Sequence, residues 1–150
     1  MDTKQPNAFT LMELIIVIVI LGILSAFVIP KYVSLDVEAR TSTVKGLDGS
    51  IRAAAEMVHG IALAKGYKTA GIADLGTGLV VNITNKSYPT ATTDGINSAL
   101  SSSSGFTINT DTANTIRYDA NGGTTPNCSV AYSINSTANE PTITTTTSGC

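Results

Sequence analysis

The 150-residue chain contains no tryptophan, a single histidine and two cysteines, and only 13% of its residues are charged. Each shortage closes off a kind of chemistry. With His59 as the sole imidazole, no Ser/His/Asp arrangement rises above chance, and His59 reads as a surface or packing residue rather than a base or ligand. No Cys-x-x-Cys pair and no cluster of His, Cys or close carboxylates suits zinc. Gly76-Thr77-Gly78 lacks the remainder of a phosphate-binding loop. Asp111, Asn114, Asp119 and Asn121 offer oxygens, but not at the spacing of a calcium-binding loop, and turn chemistry accounts for them better. Aromatic residues make up 5% of the chain, so no stacking platform for bases or sugars is evident. Nine basic against eleven acidic residues leave a net charge of −2, with no basic footprint for nucleic acid. The expectation is a non-enzymatic protein without catalytic residues, cofactor, metal or nucleic-acid partner.

What the chain does have is one long apolar run. Phe9 to Ile29, FTLMELIIVIVILGILSAFVI, is interrupted in polarity only by Thr10, Glu13 and Ser25. As a helix at ~1.5 Å per residue it spans ~30 Å, the thickness of a bilayer core. A carboxylate at that depth is costly, so Glu13 is a functional-site candidate whose partner has to be named. Gly22 and Pro30 interrupt the helix. Proline removes a backbone donor and clashes one turn back, so a kink is expected near Pro30 within a helix of about 9–65.

After Lys31 the pattern becomes amphipathic. Val33, Val37, Val44, Leu47, Ile51, Ala54, Val58 and Ile61 share one stripe at helical spacing, with Arg40 at the position the stripe skips. Gly66 after Lys65 is a suitable helix cap. Composition then shifts: 28 of the 85 residues from Gly66 to Cys150 are Ser or Thr. Threonine is β-branched and polar, which suits half-exposed strands. Gly66 to Thr77 is expected to be a loop, Leu79 to Thr84 a strand, and Thr92 to Ser101 a short helix capped by Thr92 or Thr93. Phe106 to Asn109, Asn114 to Tyr118, Ser129 to Asn135 and Pro141 to Thr147 are further strands. Along Ser129 to Asn135, Val130, Tyr132 and Ile134 alternate onto one face. Cys128 and Cys150 flank the last hairpin and are expected to form a disulfide, implying an oxidising compartment. If they sit opposite one another, Ile134 pairs with Thr144.

The start of the chain is also informative. A polar leader, Met1 to Ala8, precedes the apolar run, and the small residue Ala8 stands before that run rather than after it, unlike an ordinary secretory signal. Ala8-Phe9-Thr10-Leu11-Met12-Glu13-Leu14 followed by aliphatic residues resembles the type IV prepilin signature. Ala8 departs from the family's usual glycine but is similarly small. The resemblance implies cleavage between Ala8 and Phe9 by a prepilin peptidase, N-methylation of Phe9, and a subunit-assembly role for Glu13 opposite the α-amino group of Phe9 on a neighbouring copy. It further implies an α+β pilin fold, the long helix packed on an antiparallel sheet. Its parts are a leader at 1–8, a membrane and fibre-core helix at 9–30, the amphipathic half of that helix at 31–65, and a β-rich module with a disulfide-closed hairpin at 66–150. The Tyr88-Pro89 turn and the Thr-rich strand ending in Gly149-Cys150 resemble the mannose-sensitive haemagglutinin (MSHA) pilins. The implied life history is an inner-membrane precursor that becomes an extracellular homopolymer, handled by the pilus assembly machinery and contacting surfaces, host glycans or phage. Two alternatives stand beside it: a pseudopilin of type II secretion, and a membrane-anchored monomeric binding domain.

Overall fold

The computed structural model describes residues 9–76 and 78–150, with the backbone alone at positions 30 and 33. The element order is α1 (Leu11–Ala64), β1 (Gly71–Gly76), β2 (Leu79–Ile83), a single wide π-type turn (Thr93–Asn97), β3 (Phe106–Asn109), β4 (Thr115–Ala120), β5 (Ser129–Ser133) and β6 (Thr142–Thr146). This is the expected α+β arrangement, a long N-terminal helix followed by antiparallel sheets. Helical backbone runs through Pro30 without a break. The chain divides into two compact units after Val37. From Leu11 to Val37 it is helix, with no buried core among the described residues. From Glu38 onward it is the rest of α1 with two antiparallel sheets, β1-β2 and β3-β4-β5-β6.

In the second unit the apolar stripe of α1 does what its spacing predicts. Val44, Leu47, Ile51 and Ala54 are buried in one cluster with Ile116, Tyr118, Val130 and Tyr132 of the four-stranded sheet. One turn further on, Val58 and Ala62 join a second cluster with Ala73, Leu75, Val81 and Ile83 of β1 and β2. Ile61, the last residue of the stripe, packs half-buried against this cluster beside the fully buried Ala62. A fully buried Ile or Val contributes ~1.5–3 kcal/mol relative to its exposed state, so these positions hold the module together. α1 stops as Gly66 predicts. Gly66 takes φ +80°, its N–H donates to Leu63 at 3.1 Å and the Tyr67 N–H to Ala62 at 2.9 Å. These two bonds satisfy carbonyls that the helix end leaves open.

Polar contacts fasten the sheet to the helix. The Arg52 guanidinium is bidentate on Asp48, at 3.0 and 3.1 Å, and also donates to the Ile143 carbonyl of β6 at 3.3 Å. Arg40, at the skipped stripe position, donates from Nε to the Cys150 carbonyl at 2.8 Å. The Tyr132 hydroxyl donates to the Pro89 carbonyl at 2.7 Å, fixing the loop after β2 against β5. Burial pushes the hydroxyls of Tyr118 and Tyr132 well above the usual phenol range. Cys128 and Cys150 are disulfide-bonded.

Three expectations are corrected. Gly66 to Thr77 is not all loop: Gly71–Gly76 is a strand paired with β2. Ala73 and Leu75 alternate inward there, a short period-2 signal masked by the flanking glycines. The expected helix at Thr92 to Ser101 is shorter and of π type, Thr93–Asn97 running into α-helical residues 98–99, and Thr92 supplies no side-chain cap. Its hydroxyl shares a hydrogen bond with that of Thr90 at 2.8 Å instead, and Gly95 leaves helical dihedrals at φ −98° and ψ −112°. Lastly, Thr144 pairs with Ala131, and Tyr132 with Ile143, so Ile134 is not opposite Thr144. The ladder ends at Ser129↔Thr146, and the chain then turns, with the Cys150 N–H donating to Thr147 at 3.3 Å. The disulfide therefore closes a turn beyond the ladder rather than its last rung.

Gly95 is indispensable for a steric reason. A Cβ there would overlap the Thr90 backbone carbonyl and hydroxyl. Gly95→Ala is expected to lower stability by about 3 kcal/mol, as overpacking against backbone does, read by thermal unfolding of the full chain in micelles. The Asp48–Arg52 pair carries a pH signature. The hydrogen bond from Arg52 holds the Asp48 carboxyl below its ordinary value of 3.8. A depressed carboxyl stabilises the fold above its unfolded value and loses that contribution as pH falls through the folded one. Asp48→Asn is expected to cost about 0.5 kcal/mol at pH 7, the usual size for an i,i+4 pair, and the difference from wild type should shrink as pH falls below 3.8 and through the depressed Asp48 value.

Candidate functional site

The chemistry-bearing segment is the start of α1. Thr10 precedes the first helical residue and Glu13 is the third, a T-x-x-E arrangement. The Thr10 backbone N–H and hydroxyl both donate to Glu13 Oε2 at 3.0 Å, and the Glu13 N–H donates to Thr10 Oγ1 at 3.2 Å. This is a reciprocal capping box: it satisfies two backbone donors that a helix start leaves open. Glu13 Oε1 has no hydrogen-bond partner among the described residues. One carboxylate oxygen thus closes the helix and the other remains presented outward.

Below this cap the helix is bare. Every large apolar side chain from Leu11 to Ile29 is exposed, Ile15 the least so at 44%. Among the described residues α1 is long and apolar enough to cross a membrane. Its interior hydroxyl is internally satisfied, Ser25 Oγ donating to the Leu21 carbonyl at 2.7 Å. Gly22 leaves open space where a Cβ would stand, so this position is a notch in an otherwise bulky surface. Small residues of that kind let a second helix approach closely in lipid.

The positions named from the sequence distribute as follows. Phe9 is 80% exposed, immediately before the cap. Ala8 lies outside the described residues. Glu13, Gly22 and Pro30 all belong to α1, while Cys128 and Cys150 form the bridge of the second unit. His59 stacks on Tyr88 with ring centroids 3.9 Å apart and planes 4° from parallel. Two members of the calcium-like set have their side-chain oxygens engaged locally: Arg117 is bidentate on Asp119 at 2.7 and 3.0 Å, and Asn121 Oδ1 accepts the Thr107 hydroxyl at 2.9 Å. Sequence reasoning passed over Thr10. Its signal was present, since Ser or Thr three residues before Glu at the head of an apolar run is a helix-start pattern.

The site is thus a capped apolar helix, long enough to cross a membrane, with one carboxylate near its start. Comparison with known proteins points the same way. Residues 4–29 match the family model of the prokaryotic N-terminal methylation motif. Over 57 residues the chain is 42% identical to the type II secretion system core protein G of Pseudomonas aeruginosa. That similarity covers 38% of this chain and 40% of the relative's length. No solved structure matches. The chain therefore carries a pilin-like prepilin motif on its apolar helix.

The capping box makes a local prediction. Thr10→Ala removes the acceptor for the Glu13 N–H and one donor to Oε2, a loss of about 1 kcal/mol. In micelles the amides of Leu11 to Glu13 should exchange about fivefold faster, while those of Val17 to Leu21 stay unchanged.

Proposed function

We propose that this chain is the subunit of a filament built on its N-terminal helix, cut between Ala8 and Phe9 by a prepilin peptidase and N-methylated at Phe9. The observation that carries the reading is the bare helix of Leu11 to Ile29 with Glu13 at its head. Cutting before Phe9 frees an α-amino group, a cation four residues from the only acid in the apolar run. In a bundle of such helices, Glu13 Oε1 of one copy receives the Phe9 ammonium of the next. An unpaired carboxylate in an apolar bundle is expensive, so the pairing selects one axial register. The hydrophobic effect drives helices from lipid into such a bundle only weakly, because lipid tails are as apolar as leucine. Extraction therefore requires external work from an assembly machinery.

Two filament types fit this mechanism. A surface type IV pilus, of the MSHA kind in the finer reading, is supported by the disulfide and the Ser/Thr-rich second half, which suit an exposed extracellular module. In this form the precursor sits in the inner membrane, and the mature subunit is extracellular and contacts surfaces, glycans or phage. A type II secretion pseudopilin is supported by the identity to core protein G. A membrane-anchored monomer, the reading from another class, has no use for a carboxylate at this depth.

Three experiments separate them. Mass spectrometry of the mature chain is expected to show N-methyl-Phe9 as its first residue, and retention of Met1 would overturn the filament reading. Deletion of the gene is expected to remove sheared surface filaments while protein secretion continues. Lost secretion with filaments intact would assign the chain to the secretion apparatus. Glu13→Ala is expected to leave the chain in the membrane fraction and abolish its assembly, which a monomeric anchor would not show.

A further inference from the structure

The second unit holds an open pocket of about 420 Å³ that the filament reading does not use. Its wall is the His59–Tyr88 stack, and Lys68, Lys86, Asn85, Asn139 and Glu140 stand around it. The volume lies in the range of small-molecule sites, ~300–1,000 Å³. Three observations show polar capacity without a partner. His59 Nδ1 is buried and accepts or donates no hydrogen bond among the described residues. Neither lysine ammonium makes an ion pair with any described carboxylate, although Glu140 lines the same pocket. Asn85 spends its Oδ1 on the Ala70 N–H at 2.8 Å, which leaves its amide donors unassigned. The loop presenting Asn85, Lys86 and Tyr88 is held in place. The buried Ser87 sits at φ +62° with its hydroxyl donating to the Tyr67 carbonyl at 2.6 Å, and the Thr84 N–H donates to Tyr88 at 2.8 Å. The Tyr88 hydroxyl is pushed above the usual phenol range by burial first, then by the carboxylates of Glu56 and Glu140. Negative charge therefore faces one side of the pocket while the lysines supply positive charge.

We infer that this pocket binds an acidic sugar residue, its carboxylate against Lys68 and Lys86 and its hydroxyls against Asn85, Asn139 and Glu140. The chemistry argues for that class. Two ammonium groups and two side-chain amides are donors, suited to an anion with several oxygens. Glu140 accepts from hydroxyl groups and repels a compact, highly charged anion such as phosphate. The absence of tryptophan is no obstacle, because recognition here is by charge and amide hydrogen bonds rather than by stacking. The pocket belongs wholly to the second unit, so the inference stands apart from whether the chain forms a pilus or a secretion filament.

The test uses the full chain in detergent micelles, titrated with glucuronate, glucose and inorganic phosphate, with the Asn85 and Asn139 side-chain amides and the His59 imidazole observed by NMR. Glucuronate is expected to shift these signals saturably and to bind more tightly than glucose or phosphate. Replacing both exposed lysines, Lys68→Gln with Lys86→Gln, is expected to weaken glucuronate binding by about five- to tenfold, the scale of two exposed charge contacts. The same double variant should leave glucose binding and the melting temperature unchanged, which separates a lost contact from a lost fold. No saturable shift with glucuronate, equal binding of glucose, or tighter binding of phosphate would each overturn the proposal.

Discussion

Everything in this molecule follows from the exposed apolar surface of α1 between Leu11 and Ile29. Fifteen large apolar side chains there are exposed, each by 44% or more. At ~25 cal/mol per Å² of apolar area, placing them in water costs on the order of 20 kcal/mol. That exceeds the ~5–15 kcal/mol by which a domain prefers its folded state. Water is therefore never the lasting environment of this helix, and the rest of the chain is arranged around the surfaces that replace it. In lipid the helix is already satisfied in its backbone, since all but its terminal groups are bonded internally. In a bundle of copies the gain comes from packing and from groups that lipid cannot satisfy.

In the proposed filament, Glu13 is the group that distinguishes those two environments. The capping box uses one oxygen for the chain's own helix start, which reduces the desolvation cost of the carboxylate without neutralising it. A residual charge stays on the far side of the group. Were both oxygens used internally, the helix would sit in lipid with less penalty and have less reason to leave. In that proposal Thr10 is more than a cap: its bonds hold the Glu13 carboxylate in one orientation before a neighbour pairs with it. Pre-orientation of this kind lowers the entropy that a later ion pair would have to overcome.

How much of this was legible in the sequence depended on the range of the determining interaction. The helix, its stripe and its Gly66 stop are local, and Val44, Leu47, Ile51, Ala54 and Val58 could be placed in the core by spacing alone. The strands from Phe106 onward were readable because alternation and turn residues are local too. Failures arose where a long-range contact decided the outcome. Gly71 to Gly76 becomes a strand only because β2 offers it a partner and Val58 and Ala62 cover its Ala73 and Leu75. Thr92 loses its capping role to Thr90, and Gly95 is pinned by the Thr90 backbone. The register of β5 against β6 could not be deduced from the cysteines, because three residues of turn separate the last rung from Cys150.

The same distinction governs the site. The prepilin-like segment is legible because its chemistry lies within six consecutive residues, so spacing alone carries it. The pocket beside His59 is not, since it is assembled from a helix, the segment after it, the loop after β2 and the turn before β6. Lys68, Lys86 and Glu140 are far apart in sequence and look like ordinary solvated charges when taken singly. Only the folded chain shows them around one volume, with Ser87 and Tyr88 holding the loop that brings them there. A filament subunit needs a rigid outer module, and rigid loops anchored on a helix are also what a specific surface site requires. On the proposed filament reading, the first half of α1 serves assembly while its second half is the scaffold on which the inferred pocket is built.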